Sequence, residues 1–257
     1  MNAPIVDWRG QRVWLLGASS GIGAALAGAL LARGARVAVS GRDAERLARV
    51  APDAGEVLRL PCDATDGDSL RAVRDELAAR WQGVDVAIYV AGDYRPLRAW
   101  DLAGQWPAAE RMLAVNLHGA LRFAACVVPA MLERQGGQIG FVASVAGYRG
   151  LPRSLIYGPT KAALINFAEA LYLDLAPRGV GVRLISPGFV ATGLTAGNEF
   201  RMPALLTPEE AAEAIVRGFA GRTFEIDFPK RFTRLMKLLG CLPRALYFPL
   251  IRRITGA

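Results

Sequence analysis

At 257 residues, 53% of them hydrophobic, the chain is long enough to bury the core of one large α/β domain. Three cysteines, Cys62, Cys126 and Cys241, odd in number and unpatterned, argue against a disulfide framework or a zinc site and read as small buried apolar residues. The formal net charge of +8 is concentrated at one end, because residues 229–257 carry seven basic side chains and no acidic one, which leaves +1 for the rest. No repeat, low-complexity stretch, N-terminal signal pattern or apolar run of transmembrane length is evident, so a cytoplasmic body is expected.

In chain order, Arg12-Val13-Trp14-Leu15-Leu16 opens a short apolar run with the length of a buried strand, predicted over 12–17. Gly17-Ala18-Ser19-Ser20-Gly21-Ile22-Gly23 follows, and a helical pattern is predicted over 21–33. Glycines permit a tight turn and the close approach of backbone to a pyrophosphate, whose charge would rest on the free N–H groups and positive dipole end of the helix. A second strand, 36–40, ends at Gly41-Arg42 ahead of a helix over 43–50. NAD enzymes place a carboxylate at this strand end to hold the ribose 2′-hydroxyl, and it would repel a 2′-phosphate. Gly41 has no side chain, while the Arg42 guanidinium can hold a phosphate through two hydrogen bonds and stack on the adenine. The expectation is NADP(H) in preference to NAD(H); the competing reading of Arg42 is a solvated charge in front of the helix.

Further strands are predicted near 56–61, 84–90, 137–143, 180–186 and 223–227, with helices near 66–80, 105–134, 157–176 and 207–220. This alternation reads as α/β, a single Rossmann-type doubly wound, mostly parallel seven-stranded sheet flanked by helices. Ligands in such sheets bind beyond the carboxyl ends of the strands, where Gly17, Asp63, Gly92, Ser144 and Pro187 all fall.

Tyr157 and Lys161 stand at i and i+4, on one face of a helix, so the ammonium can sit near the phenol and favour its ionised form. A neighbouring positive charge is expected to lower a phenol from its ordinary pKa of about 10 toward the range where acid–base catalysis works. With Ser144 thirteen residues upstream and Asn116 earlier still, the chain holds every side chain a carbonyl reductase needs.

The spacing G-x-x-x-G-x-G, with these residues in this order, resembles the short-chain dehydrogenase/reductase family from about residue 10 to 220. The resemblance implies a catalytic set of Asn116, Ser144, Tyr157 and Lys161. It implies nucleotide contacts from Gly17, Ser19, Ser20, Gly21, Ile22, Gly23, Arg42, Asp63, Ala64, Ala91, Gly92, Asn116, Tyr157, Lys161, Pro187, Gly188, Val190 and Thr192. Asp63 matches the aspartate facing the adenine, Ser144 the serine that holds the substrate oxygen, and Pro187-Gly188 with Thr192 the loop that meets the nicotinamide and its carboxamide. Lys161 would also hold the nicotinamide ribose, and Asn116 would keep a water in place to relay protons to it. The resemblance leaves the substrate open; the expectation is a small carbonyl or alcohol, apolar or lipid-like, with the C-terminal extension near the entrance, and a dimer or tetramer. The competing class is a non-catalytic nucleotide-binding or membrane-associated regulatory protein on the same fold, against which an intact set of four side chains argues.

Two departures stand out. Tyr89-Val90-Ala91-Gly92 replaces the family's Asn-Asn-Ala-Gly, so other groups must make the first asparagine's structural hydrogen bonds. Beyond 1–228, read as the catalytic domain, the extension 229–257 interleaves Lys230, Arg231, Arg234, Lys237, Arg244, Arg252 and Arg253 with large apolar residues. Its composition fits a segment lying on an anionic membrane surface, which would place the protein at the inner face of the membrane. A lid over the pocket and a subunit interface fit it as well. Nucleic acid is not expected, since no binding motif accompanies the charge.

Overall fold

The computed structural model describes residues 1–51, 57–198 and 202–256; Glu56, at the start of the third predicted strand, and Ala257, at the end of the extension, lie outside the described residues. Seven strands, β1 (Arg12–Leu16), β2 (Arg36–Ser40), β3 (Val57–Arg59), β4 (Val86–Tyr89), β5 (Gln138–Val142), β6 (Gly181–Pro187) and β7 (Glu225–Phe228), form one sheet in the order β3-β2-β1-β4-β5-β6-β7. Each neighbouring pair is parallel, so the sheet is wholly rather than mostly parallel. The order reverses between β1 and β4, and a crevice forms at such a switch point outside the carboxyl ends of the strands.

The helices are α1 (Gly21–Leu31), α2 (Ala44–Ala48), α3 (Gly67–Trp81), α4 (Trp106–Leu113), α5 (Gly119–Glu133), α6 (Tyr157–Leu175), α7 (Pro208–Phe219), α8 (Lys230–Cys241) and α9 (Arg244–Thr255). Alternating strand residues feed two cores. Trp14 and Leu16 point to the face covered by α3, α5 and α6, whereas Val13 and Leu15 point to the face covered by α1 and α7. Arg183 on β6 is fully buried without a carboxylate partner among the described residues, and its guanidinium donates to Gln138 Oε1 and to the carbonyls of Ala3, Phe219, Gly221 and Thr223. Those last carbonyls include the C-terminal end of α7, where a cation is favoured.

Three sequence expectations change. The single helix predicted over 105–134 is α4 and α5 joined by a π turn, Ala114–His118. Together they span 28 residues and contain an 18-residue window of mean hydropathy 1.4, which by length and composition alone is enough to cross a membrane, where the sequence reading found no such run. Ala120, Phe123, Val127 and Met131 nevertheless pack into the core against the sheet, and Asn116 lies buried at the middle of the stretch. Cys241 is exposed, unlike Cys62 and Cys126, so only two of the three cysteines serve as buried apolar residues.

Candidate active site

The glycine turn after β1 is built by contact. Gly17 and Gly21 adopt the left-handed backbone, with φ of +97° and +54°. A Cβ on Gly17 would lie 2.3 Å from the Ala91 nitrogen, and one on Gly23 would lie 2.4 Å from the Gly17 carbonyl oxygen, so any side chain would push strand, turn and helix apart. Ser20 caps α1 without a side-chain hydrogen bond, and the first turn holds no acidic residue. The backbone N–H groups of residues 19–23 make no hydrogen bond among the described residues, which leaves a helix N-terminus with spare donors and no competing anion. A cavity of about 480 Å³ opens here, lined by Gly21, Thr192, Thr195, Asn198 and Met202. Thr192 stands across it, its methyl 3.0 Å from where a Gly21 Cβ would be. Gly188, at the foot of this loop, donates its N–H to the Phe228 carbonyl at 2.7 Å, and Val190 pairs with Leu206.

On the far side of β1, Gly41 is buried with Ser19 Oγ 3.3 Å from where its Cβ would be, so a side chain there would aim at the glycine turn. Arg42 is exposed and makes no hydrogen bond or ion pair among the described residues. Asp63 accepts hydrogen bonds from the Thr65 N–H and hydroxyl, both at 2.8 Å. Burial alone would raise its pKa, but these bonds and the Arg42 charge outweigh it and hold the carboxyl below the usual range. Ala64 is buried beside Asp63, its carbonyl oxygen 2.8 Å from where a Gly119 Cβ would be, and Ile22 packs partly buried in the α1 core.

The missing asparagine of the β4 turn has a substitute. Val90 and Ala91 donate their N–H groups to the Leu16 carbonyl at 2.7 and 2.9 Å, and the Tyr89 hydroxyl donates to the carbonyl of Val115, inside the π turn. That turn presents Asn116, which is fully buried. Asn116 Oδ1 accepts from the Asp93 N–H at 2.7 Å, while its Nδ2 donates to the Asp93 carbonyl at 2.8 Å and to Thr160 Oγ1 at 3.2 Å. Both amide hydrogens are therefore spent on holding the segment after β4 against α6. A Cβ on Gly92 would lie 3.6 Å from Asn116 Oδ1 and 3.9 Å from Lys161 Nζ.

Ser144 follows β5 and caps a single 3₁₀ turn, Val145–Gly147, its Oγ accepting from the Ala146 N–H at 3.1 Å. Gly147 lets that turn lie directly on α6, since a Cβ would sit 2.7 Å from the Lys161 carbonyl carbon. Tyr157 opens α6, and one turn later Lys161 is buried, donating to the Val142 carbonyl at 2.8 Å with Nζ 5.7 Å from the Tyr157 ring centroid. The expected lowering of the phenol is not what this geometry produces. Burial pushes Tyr157 up to about 12, with a hydrogen bond involving Ser144 pulling the other way, and burial pushes the Lys161 ammonium down to about 8. Desolvation of each group dominates, since no carboxylate among the described residues balances the lysine.

Four contributors escaped the motif reading. Asp93 and Thr160 anchor Asn116, Tyr89 holds the π turn, and Tyr94 packs edge-on against Tyr157 with ring centroids 4.9 Å apart. Thr160 stands between Tyr157 and Lys161 in sequence, and Asp93 and Tyr94 directly follow Gly92, so proximity to the motifs was the available signal.

The sequence model of the family described as short chain dehydrogenase matches residues 11–201, close to three quarters of the protein. The chain belongs to the short-chain dehydrogenase/reductase family. An uncharacterized oxidoreductase of Myxococcus xanthus (strain DK1622) is 34% identical over 242 residues, 93% of this chain and 95% of that one. Among solved structures, a short chain dehydrogenase from Burkholderia cenocepacia J2315 in complex with NADP is 27% identical, with a TM-score of 0.81 over 94% of this chain and 98% of that one. The F189W actinorhodin polyketide ketoreductase with NADPH is also 27% identical, with a TM-score of 0.75 over 85% and 95%. As a member of this family the protein is an oxidoreductase on a nucleotide-binding Rossmann-type fold.

Proposed function

We propose that the protein is an NADP(H)-dependent oxidoreductase that moves hydride between the nicotinamide and an apolar carbonyl or alcohol, with Asn116, Ser144, Tyr157 and Lys161 as its catalytic set. The observation that carries this reading is the convergence of Tyr157, buried Lys161, the Ser144 turn and Gly92 on the strand ends beside a glycine-lined cavity. Residues 1–228 would form the catalytic body, with 229–257 as a folded extension of it.

The residues present fit a dinucleotide. The spare N–H groups of residues 19–23 suit a pyrophosphate, and Gly17, Gly21 and Gly23 keep that surface free of side chains. Asp63, Ala64, Ala91 and Val190 would line the dinucleotide from its adenine toward the nicotinamide, which Pro187, Gly188 and Thr192 would meet. Bound NADPH would supply the hydride. Lys161 spends one hydrogen on Val142 and keeps others for the ribose hydroxyls. Ser144 would orient the substrate oxygen with its hydroxyl. Tyr157 then gives its proton to the oxygen as negative charge develops there, a role that suits a phenol held protonated at neutral pH. With its amide hydrogens spent, Asn116 would hold the water that relays protons to Lys161 through an acceptor oxygen, its own Oδ1 or a backbone carbonyl of the π turn.

Gly41 and exposed, unpaired Arg42 support NADPH over NADH, and two solved relatives carry NADP or NADPH in their descriptions. The test has two arms. Calorimetric titration should show tighter binding of NADPH than NADH, and Arg42→Ala should weaken NADPH alone by roughly tenfold to a hundredfold, the worth of a charge-assisted hydrogen bond. Equal or tighter binding of NADH refutes the preference. NADPH oxidation is then followed against a panel of ketones, quinones and acyl compounds.

A further inference from the structure

Helices α8 and α9 have an inner face that is bolted to the body. Asp227, buried at the end of β7, accepts from Lys230 Nζ at 2.6 Å and from the Thr233 hydroxyl, and Lys237 reaches Glu225 at 2.6 Å. Arg149, five residues after Ser144, donates to the Leu239, Gly240 and Leu242 carbonyls and stacks on Tyr247, whose hydroxyl donates to the Gly150 carbonyl. Phe232 lies against Gly188, 2.8 Å from where a Cβ would be. Two of the seven cations, Lys230 and Lys237, are consumed by this docking.

The outer face has no such partners among the described residues. On α8, Arg231, Arg234, Leu235, Leu238 and Cys241 share one exposed stripe at i, i+3, i+4, i+7 and i+10. On α9 only Tyr247 and Ile251 are buried. Leu238, Ile254, Leu246 and Phe248 are 69%, 62%, 59% and 55% exposed, and with Leu235 and Leu250 they make six of the fourteen large hydrophobics exposed among the described residues. Arg231, Arg234, Arg244, Arg252 and Arg253 are exposed beside them and form no ion pair among the described residues. The sequence places no acidic residue anywhere in 229–257.

We propose that this outer face of α8 and α9 docks on an anionic lipid surface. Large apolar side chains interleaved with unspent arginines gain burial and charge attraction from the same surface. A second copy fits less well, because joining the face to itself would gather ten arginines into one interface to which residues 229–257 bring no acidic residue. Duplex nucleic acid would use the charge but leave the leucines in water. The surface stands on its own geometry and does not depend on the proposed reaction. Since the inner face holds the Ser144 loop and Gly188, a docked molecule would keep those loops close to the lipid.

The test is co-sedimentation of the full-length protein with vesicles of phosphatidylcholine, alone or mixed with phosphatidylglycerol, at low and raised salt. The protein should pellet with the anionic vesicles only and be released as salt rises. Leu238→Asp with Ile254→Asp, and separately Arg234→Ser with Arg252→Ser, change exposed positions, so circular dichroism should show the fold intact. The first pair should abolish pelleting, and the second should lower partition roughly fivefold per arginine. Absence of pelleting at low salt, equal pelleting with neutral vesicles, or pelleting indifferent to both pairs of substitutions overturns the proposal. Self-association or duplex DNA binding that these substitutions abolish, without vesicle binding, would assign the face to a second copy or to nucleic acid instead.

Discussion

Lys161 is an ammonium buried without a counter-ion among the described residues, and its environment works against the charge it carries. Its pKa in the folded chain, about 8, lies below the ordinary 10.5, so the unfolded chain binds more protons between those values and stability must rise with pH across that interval. The penalty is fully present below about pH 8 and fades as pH climbs toward 10.5. Lys161→Met should accordingly be more stable than the parent at pH 7, by at most about 3 kcal/mol, since each tenfold loss of proton affinity on folding corresponds to about 1.36 kcal/mol. The gain should shrink in thermal melts at pH 9.5, while NADPH binding is lost at both. Such a trade of stability for function is expected of a residue retained for its chemistry. The Tyr157–Lys161 spacing was legible in the sequence, but the direction in which the phenol's pKa moves was not. Spacing reports that two groups can meet, whereas the pKa of each depends on how much protein surrounds it.

At the scale of elements, the π turn between α4 and α5 decides where Asn116 points. The hydrophobic pattern over 105–134 continues through the turn, so nothing in the periodicity marked it, and the departure at Tyr89 looked like the loss of an asparagine. Both make sense together. The tyrosine hydroxyl reaches the Val115 carbonyl within the turn. Tyr89→Phe would remove that hydrogen bond, at a cost of roughly 0.5–1.5 kcal/mol. Denaturant unfolding should show the loss, and unchanged stability would mean the bond is dispensable. Helices α8 and α9 were equally hidden, since their apolar residues read as a composition without an assigned shape. What fixes them is long-range: Asp227 on β7 and Arg149 beside the Ser144 turn, neither of which belongs to any motif in the extension.

Across the whole molecule, the strand positions and the strand ends were the most readable features, whereas the order of the strands in the sheet was not read from the sequence. Strands β1, β2, β4 and β5 are short runs buried almost throughout because helices cover both faces of the sheet, and such runs signal parallel strands without any knowledge of partners. The right-handed crossovers of such a fold then bring Gly17, Asp63, Gly92, Ser144 and Pro187 to one edge. The side chains that support them, Asp93, Tyr94 and Thr160, depend on packing between elements and carry no spacing signature. The proposed reaction stands or falls on Tyr157 as the proton donor. The decisive measurement is the NADPH consumption of Tyr157→Phe beside the parent protein, using whichever carbonyl compound the parent reduces fastest, with NADPH affinity measured on both. Turnover should fall by roughly 10²–10⁴-fold, the worth of a positioned general acid, while affinity stays nearly unchanged. A variant that keeps most of its turnover would contradict that role.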